Sequence, residues 1–159
     1  MRKLILMLAV SIGVVACGDG GSSNLVETDL LEYGIPVKVM APDSANIKST
    51  KLSIVTDVTI KGKPDDKYNV QIFSSGASTI DTKSIKDEQK EQIQDNPYFS
   101  QIISEDENGF VYETKLDSTT TNYGFRYVKV MGDKEIIFQN GMLGIYTLKE
   151  TQRMYDSVK

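Results

Sequence analysis

The sequence predicts an α+β fold, a single antiparallel sheet of about six to seven strands with a mid-chain helix and a C-terminal helix packed on it. Three features carry that prediction. Leu52, Ile54, Thr56, Val58 and Ile60 alternate with Ser53, Val55, Asp57 and Thr59, the period of a strand with one buried face. Asn108-Gly109 and Gly132-Asp133 suit tight hairpin turns, which join neighbours in an antiparallel sheet. Thr147 and Glu150 stand three apart at the head of an apolar-periodic stretch, the pattern of a capped helix start.

The elements follow in order. The alternating run at 52–60 is the first strand. A turn segment from Lys61 to Lys67, rich in Gly, Pro and Asp, leads into a second strand at 68–74 that carries Val70 and Ile72 on one face. Residues 80–95 are charged and helix-favouring, with Ser78 and Asp81 spaced as a capping box, Pro97 barring continuation, and only Ile85 and Ile93 to form a narrow contact stripe. Four strands at 99–104, 110–116, 123–131 and 135–139 then make a meander, broken at Asn108-Gly109, at Asn122 with the Thr run before it, and at Gly132-Asp133. The closing helix runs from Thr147 to about Val158, with Leu148, Tyr155 and Val158 spaced to face the sheet.

Composition narrows the chemistry. The chain has 159 residues, 18 Lys and Arg against 22 Asp and Glu, one Cys, no Trp and no His. Without His there is no Ser-His-Asp or Cys-His triad, no His-liganded zinc and no HExxH helix. There is no P-loop, no G-x-G-x-x-G and no S-x-x-K. Net negative charge, with aspartates interrupting the Lys61, Lys63 and Lys67 cluster, argues against nucleic acid as a partner.

The N-terminus reads as an address. Arg2 and Lys3 precede an apolar run from Leu4 to Ala16, too short for the roughly 20 residues a membrane span needs, so 1–16 is expected to be a cleaved secretory signal. Val14-Val15-Ala16-Cys17 resembles the lipobox of bacterial lipoproteins. The resemblance implies cleavage after Ala16, diacylglycerol on the Cys17 thiol and a further acyl chain on its amine, and two or more chains anchor stably. Lipidation would also account for a solitary Cys in an exported chain, which otherwise carries a free thiol into an oxidising compartment. Gly18 to Asn24 has the composition of flexible coil, and residues 17–33 are expected to form the lipidated Cys and its tether, with one α+β domain over 34–159. Gly18 replaces the Asp that in proteobacterial lipoproteins directs inner-membrane retention, so the resemblance implies the outer membrane, facing the periplasm. The element order, Ala41-Pro42 and the closing Thr-Leu-x-Glu helix are similar to PsbP-like and DcrB-like proteins. That resemblance implies a sandwich fold and accessory or binding roles.

Two regions are candidate sites. Glu105, Asp106 and Glu107 precede Asn108-Gly109; hard oxygen ligands there could take Ca²⁺, with Asp106 and Glu107 as the candidates, but a solvated hairpin tip explains the same residues. On the strand at 123–131, Tyr123, Phe125, Tyr127, Lys129 and Met131 share one face and Arg126, Val128 and Val130 the other. Arg126 or Lys129, with Tyr127, could contact an anionic ligand or a partner; pairing with Glu113 or Glu135 is the alternative.

The expectation is a membrane-anchored, non-enzymatic protein with no cofactor that binds another envelope protein. The alternatives are an envelope hydrolase working through carboxylates or a divalent ion, and a small-ligand carrier using the aromatic strand face.

Overall fold

Alternation and turn chemistry give the chain its sheets, and the computed structural model describes residues 24–159. Among them, strands β1 (Leu25–Asp29) and β2 (Lys38–Pro42) form a two-stranded ribbon. The strands β3 (Asn46–Leu52), β4 (Val55–Lys61), β5 (Asn69–Gly76), β6 (Phe99–Glu105), β7 (Gly109–Lys115), β8 (Thr121–Met131) and β9 (Lys134–Asn140) make a seven-stranded sheet in the order β3-β4-β5-β9-β8-β7-β6. Every pairing is antiparallel. Helix α1 (Thr82–Gln94) follows β5, and α2 (Leu148–Ser157) follows β9. The α+β architecture expected from the sequence is present, with the small ribbon added to it. The signal segment 1–16, cleavage at Ala16 and lipidation at Cys17 lie outside the described residues.

The hairpin and the meander formed where the turn residues put them. Gly132 opens the two-residue β8–β9 turn with φ +62°, a conformation that costs an L side chain and not glycine. At β6–β7 the Asp106 carboxylate accepts from the Asn108 and Gly109 N–H groups at 3.1 and 3.0 Å, an Asx turn. Asp117, not Asn122, makes the β7–β8 turn; its carboxylate accepts from Thr119 and Thr120, which hold its pKa down to about 2, while Asn122 belongs to β8.

Four expectations needed correction. The run 52–60 is not one strand: Leu52 ends β3, Val55 starts β4, and Ser53-Ile54 is a two-residue turn with Ser53 at φ +56°. Leu52 and Ile54 are consequently exposed, and Val58 and Ile60 alone carry the buried face. Residues 25–33 are not tether, because Leu25↔Pro42 through Asp29↔Lys38 pair in register and Leu30 is fully buried. The α1 N-cap is Asp81, whose carboxylate accepts from Lys83 N–H at 3.0 Å and from Ser84 Oγ at 2.7 Å, so Ser78 plays no part. The α2 capping box is formed by Thr147 and Glu150 as the sequence predicts. Its buried face is Thr151, Met154, Tyr155 and Val158, while Leu148 is exposed.

Strand parity gives the sheet two unlike faces. Val58, Ile60, Val70, Ile72, Val111, Phe125, Tyr127, Ile136 and Phe138 point to one side. There they meet Met154 and Tyr155 of α2, Val158 just past its end, Val39 and Ala41 of the ribbon, and Val37 just before β2. Tyr68 fastens these layers, its hydroxyl bonded to Met40 O and to Ser157 Oγ, both at 2.9 Å. Arg153 of α2 pairs with the buried Asp66 at 2.7 Å. The opposite side carries Phe110 and Val128, buried with Ile85 and Ile93 of α1. Buried Lys86 joins α1 to the β6–β7 hairpin through Glu105 at 2.9 Å and Asp106 O at 2.9 Å. The edges are β3, with exposed Lys48 and Lys51, and β6, whose pairing is interrupted by two register shifts.

Candidate functional site

The second face becomes concave where β8 and β9 part. Their register runs from Met131↔Lys134 to Arg126↔Gln139 and stops, although β8 continues back to Thr121 alongside β7. Beyond Arg126 side chains and the 141–146 loop take over the bonds that β9 would supply. Phe125 N–H donates to Asn140 Oδ1 at 3.0 Å, and Asn140 Nδ2 donates to Tyr123 O at 2.8 Å. Tyr123 N–H donates to Tyr146 O at 3.1 Å, and Tyr146 N–H to Asn122 Oδ1 at 2.8 Å. Thr151 of α2 also donates to Tyr123 O at 3.1 Å. A buried backbone must have its groups paired, and these amides do so without closing the sheet.

The fork holds a hollow of about 300 Å³ lined chiefly by Phe73, Tyr112, Gly124, Arg126, Gln139 and Tyr146, with Met142 exposed at its rim. Gly124 is required by packing: a Cβ there would lie 2.3 Å from the Tyr112 ring, so only glycine lets that ring lie across β8 towards Arg126.

Arg126 is the charged residue of the lining. Its Nη1 donates to Phe125 O at 3.2 Å. Burial pulls its pKa below the usual arginine value, opposed by the neighbouring Tyr112 hydroxyl. Neither carboxylate that the sequence offered as a partner pairs with it. Glu113 lies on the other side of the sheet and accepts from Tyr123 Oη at 3.2 Å; Glu135 accepts from Ser75 Oγ at 3.1 Å. Arg126 also ends a row of neutral amides: Gln139 is its register partner and donates to Gln71 at 3.4 Å, and Gln71 donates to Asp57 Oδ2 at 3.0 Å. Asp57 Oδ1 is buried and has no hydrogen-bond partner among the described residues.

Lys129 and Tyr127 are on the closed face and do not join Arg126. Tyr127 is buried in the core, edge-on to Tyr155 at 5.9 Å between centroids. Lys129 Nζ donates to Val158 O at 2.8 Å and sits over the Tyr127 and Phe138 rings at 5.5 and 5.4 Å. The odd-even parity of a strand separates it from Arg126. The aromatic strand face is likewise filled, with Phe125 against Tyr155 at 5.7 Å.

At the β6–β7 tip, Glu105 is held by Lys86 and Lys90, Asp106 pairs with Lys159 at 3.0 Å, and Glu107 is exposed. These pairs pull the Glu105 carboxyl below its ordinary pKa, through Lys86 first and Lys90 second. Among the described residues no group of three or more His, Cys, Asp or Glu could hold a metal ion, and no helix is long and apolar enough to cross a membrane.

Sequence reasoning reached Arg126 but not its surroundings. Gly124 and the glycines of the 141–144 loop were the available signal, since glycine inside a strand marks close approach of another group. No protein-family model, curated protein or solved structure matches the chain.

Proposed function

We propose that this chain is a lipid-anchored envelope protein that acts by binding and not by catalysis, through the fork between β8 and β9. The composition of the hollow carries the reading. Its lining offers amides, phenols and one guanidinium, and it contains no Asp, Glu, Ser, Cys or Lys to act as nucleophile or as a carboxylate acid-base pair. Burial raises the pKa of the Tyr146 hydroxyl, which suits it to hydrogen bonding as a neutral phenol. The lipobox-like Val14-Val15-Ala16-Cys17 supports the anchor. With β1 starting at Leu25, the intervening residues span at most about 30 Å, which keeps the domain close to its bilayer.

Photo-crosslinking in cells from Met142, at the rim of the hollow, tests the binding role against a control at exposed Glu88 on α1. Crosslinks specific to Met142 are expected; equal yields from both positions would overturn the site. The anchor is tested separately by fractionating a Cys17→Ala variant, which should leave the membrane fraction.

A further inference from the structure

The fork contains a positive charge that no carboxylate among the described residues neutralises. A guanidinium is expensive to bury without an anion, and chains that do so generally supply a carboxylate. The acids of the sheet are placed elsewhere: Glu135 accepts from Ser75, Asp57 lies three strands away on β4, and Glu113 is on the far face. The surroundings of Arg126 are uncharged, and its register neighbour Gln139 is a neutral amide. The strands part at Arg126 itself, so the charge lies where the sheet opens.

We propose that the fork binds a small organic carboxylate, its two oxygens on the Arg126 guanidinium and its planar body among the rings of Phe73, Tyr112 and Tyr146. This rests on the binding role proposed above and adds the ligand class. Charge selects a carboxylate: one guanidinium balances one negative charge and matches its geometry bidentately. A phosphate carries more charge and is usually gathered by several cations or a helix N-terminus, neither of which lines this hollow. Volume selects a small molecule, since about 300 Å³ is at the lower end of ligand sites. The rings select a flat, partly apolar body that stacks. Gly124 holds the arrangement together, because it admits the Tyr112 ring beside Arg126.

Titration of the full chain with sodium benzoate, followed by amide chemical shifts, reads the site directly. Saturable shifts confined to β8, Gln139 and the 141–146 loop are expected. Arg126→Gln should weaken benzoate at least tenfold, Arg126→Lys should weaken it because the fork of donors is lost, and Gly124→Ala should weaken it by displacing Tyr112. Far-UV circular dichroism checks each variant; if Arg126→Gln does not fold, Arg126→Lys and the wild-type titration decide. Inorganic phosphate and benzylamine are run in parallel. Phosphate binding as tightly as benzoate, benzylamine competing for the same shifts, unchanged affinity in a folded Arg126 variant, or no saturation by roughly 10 mM benzoate would each overturn the assignment. A partner captured from Met142 without benzoate binding would leave the binding role standing and remove the carboxylate.

Discussion

The two faces of the seven-stranded sheet are built from the same strands and finished differently. One is sealed by α2 and the β1–β2 ribbon over an apolar layer running from Val58 to Val111. The other is covered by α1 at Phe110 and Val128 and ends in the Arg126 hollow. Parity accounts for the division, since every second residue of β8 belongs to a different environment. Stability and the proposed recognition are thereby placed on opposite sides of one strand. The lesson is that Phe125 and Arg126, adjacent in sequence, should respond to substitution in unrelated ways.

The largest expected effect is on the sealed side. Phe125→Ala removes a fully buried ring that packs on Tyr155 and should cost roughly 3–5 kcal/mol in urea unfolding. A cost under about 1 kcal/mol would mean that this face is not the core.

Alkaline pH is the next lever. Burial raises the Tyr68 hydroxyl from 10.0 to about 12, more than Ser157 lowers it. Below pH 10 both folded and unfolded chains keep the proton, so stability is flat. Between 10 and about 12 only the unfolded phenol ionises, and stability should fall by roughly 2–3 kcal/mol. Urea midpoints at either end of that window measure it, and Tyr68→Phe should make the fall shallower by that amount, the remainder belonging to the other raised phenols, among them Tyr155 and Tyr146.

Thr147→Ala strips the α2 cap, which accepts from Glu150 N–H at 3.3 Å, and should cost about 1 kcal/mol by thermal melting. Smallest is Gln71→Ala on the open face, expected within about 0.5 kcal/mol of wild type. A loss above about 1 kcal/mol there would show that the amide row from Asp57 to Gln139 is structural, and the contrast between faces would blur.

Turn chemistry made the meander and the β4–β5 hairpin legible, because Gly132-Asp133 and the Lys61–Lys67 segment are unambiguous stops. The β3–β4 turn was hidden because Ser53 takes a positive φ without a glycine to announce it, leaving an apparently continuous alternation across 52–60. β3 itself has Ile47 as its single half-buried apolar residue and otherwise reads as loop. β1 was masked by its place after a Gly- and Ser-rich stretch, although Val37, Val39 and Ala41, in and just before the following strand, did show period two. At the site, parity separated Arg126 from Lys129 in the sequence. What it could not give was which parity faced the core, since both sides of β8 mix apolar and cationic residues. The end of the β8–β9 register, which creates the hollow, depends on Asn140 and Tyr146 meeting residues far from them in the chain.

The sheet's edges bear on behaviour in a crowded solution. Where copies meet at high local density, an open strand end invites edge-to-edge growth. β3 presents Lys48 and Lys51, which repel a second copy of themselves, and the two bulges of β6 twist its free hydrogen-bonding row out of line. Concentrating many copies should therefore leave the sheets separate, with each fork facing solution by itself.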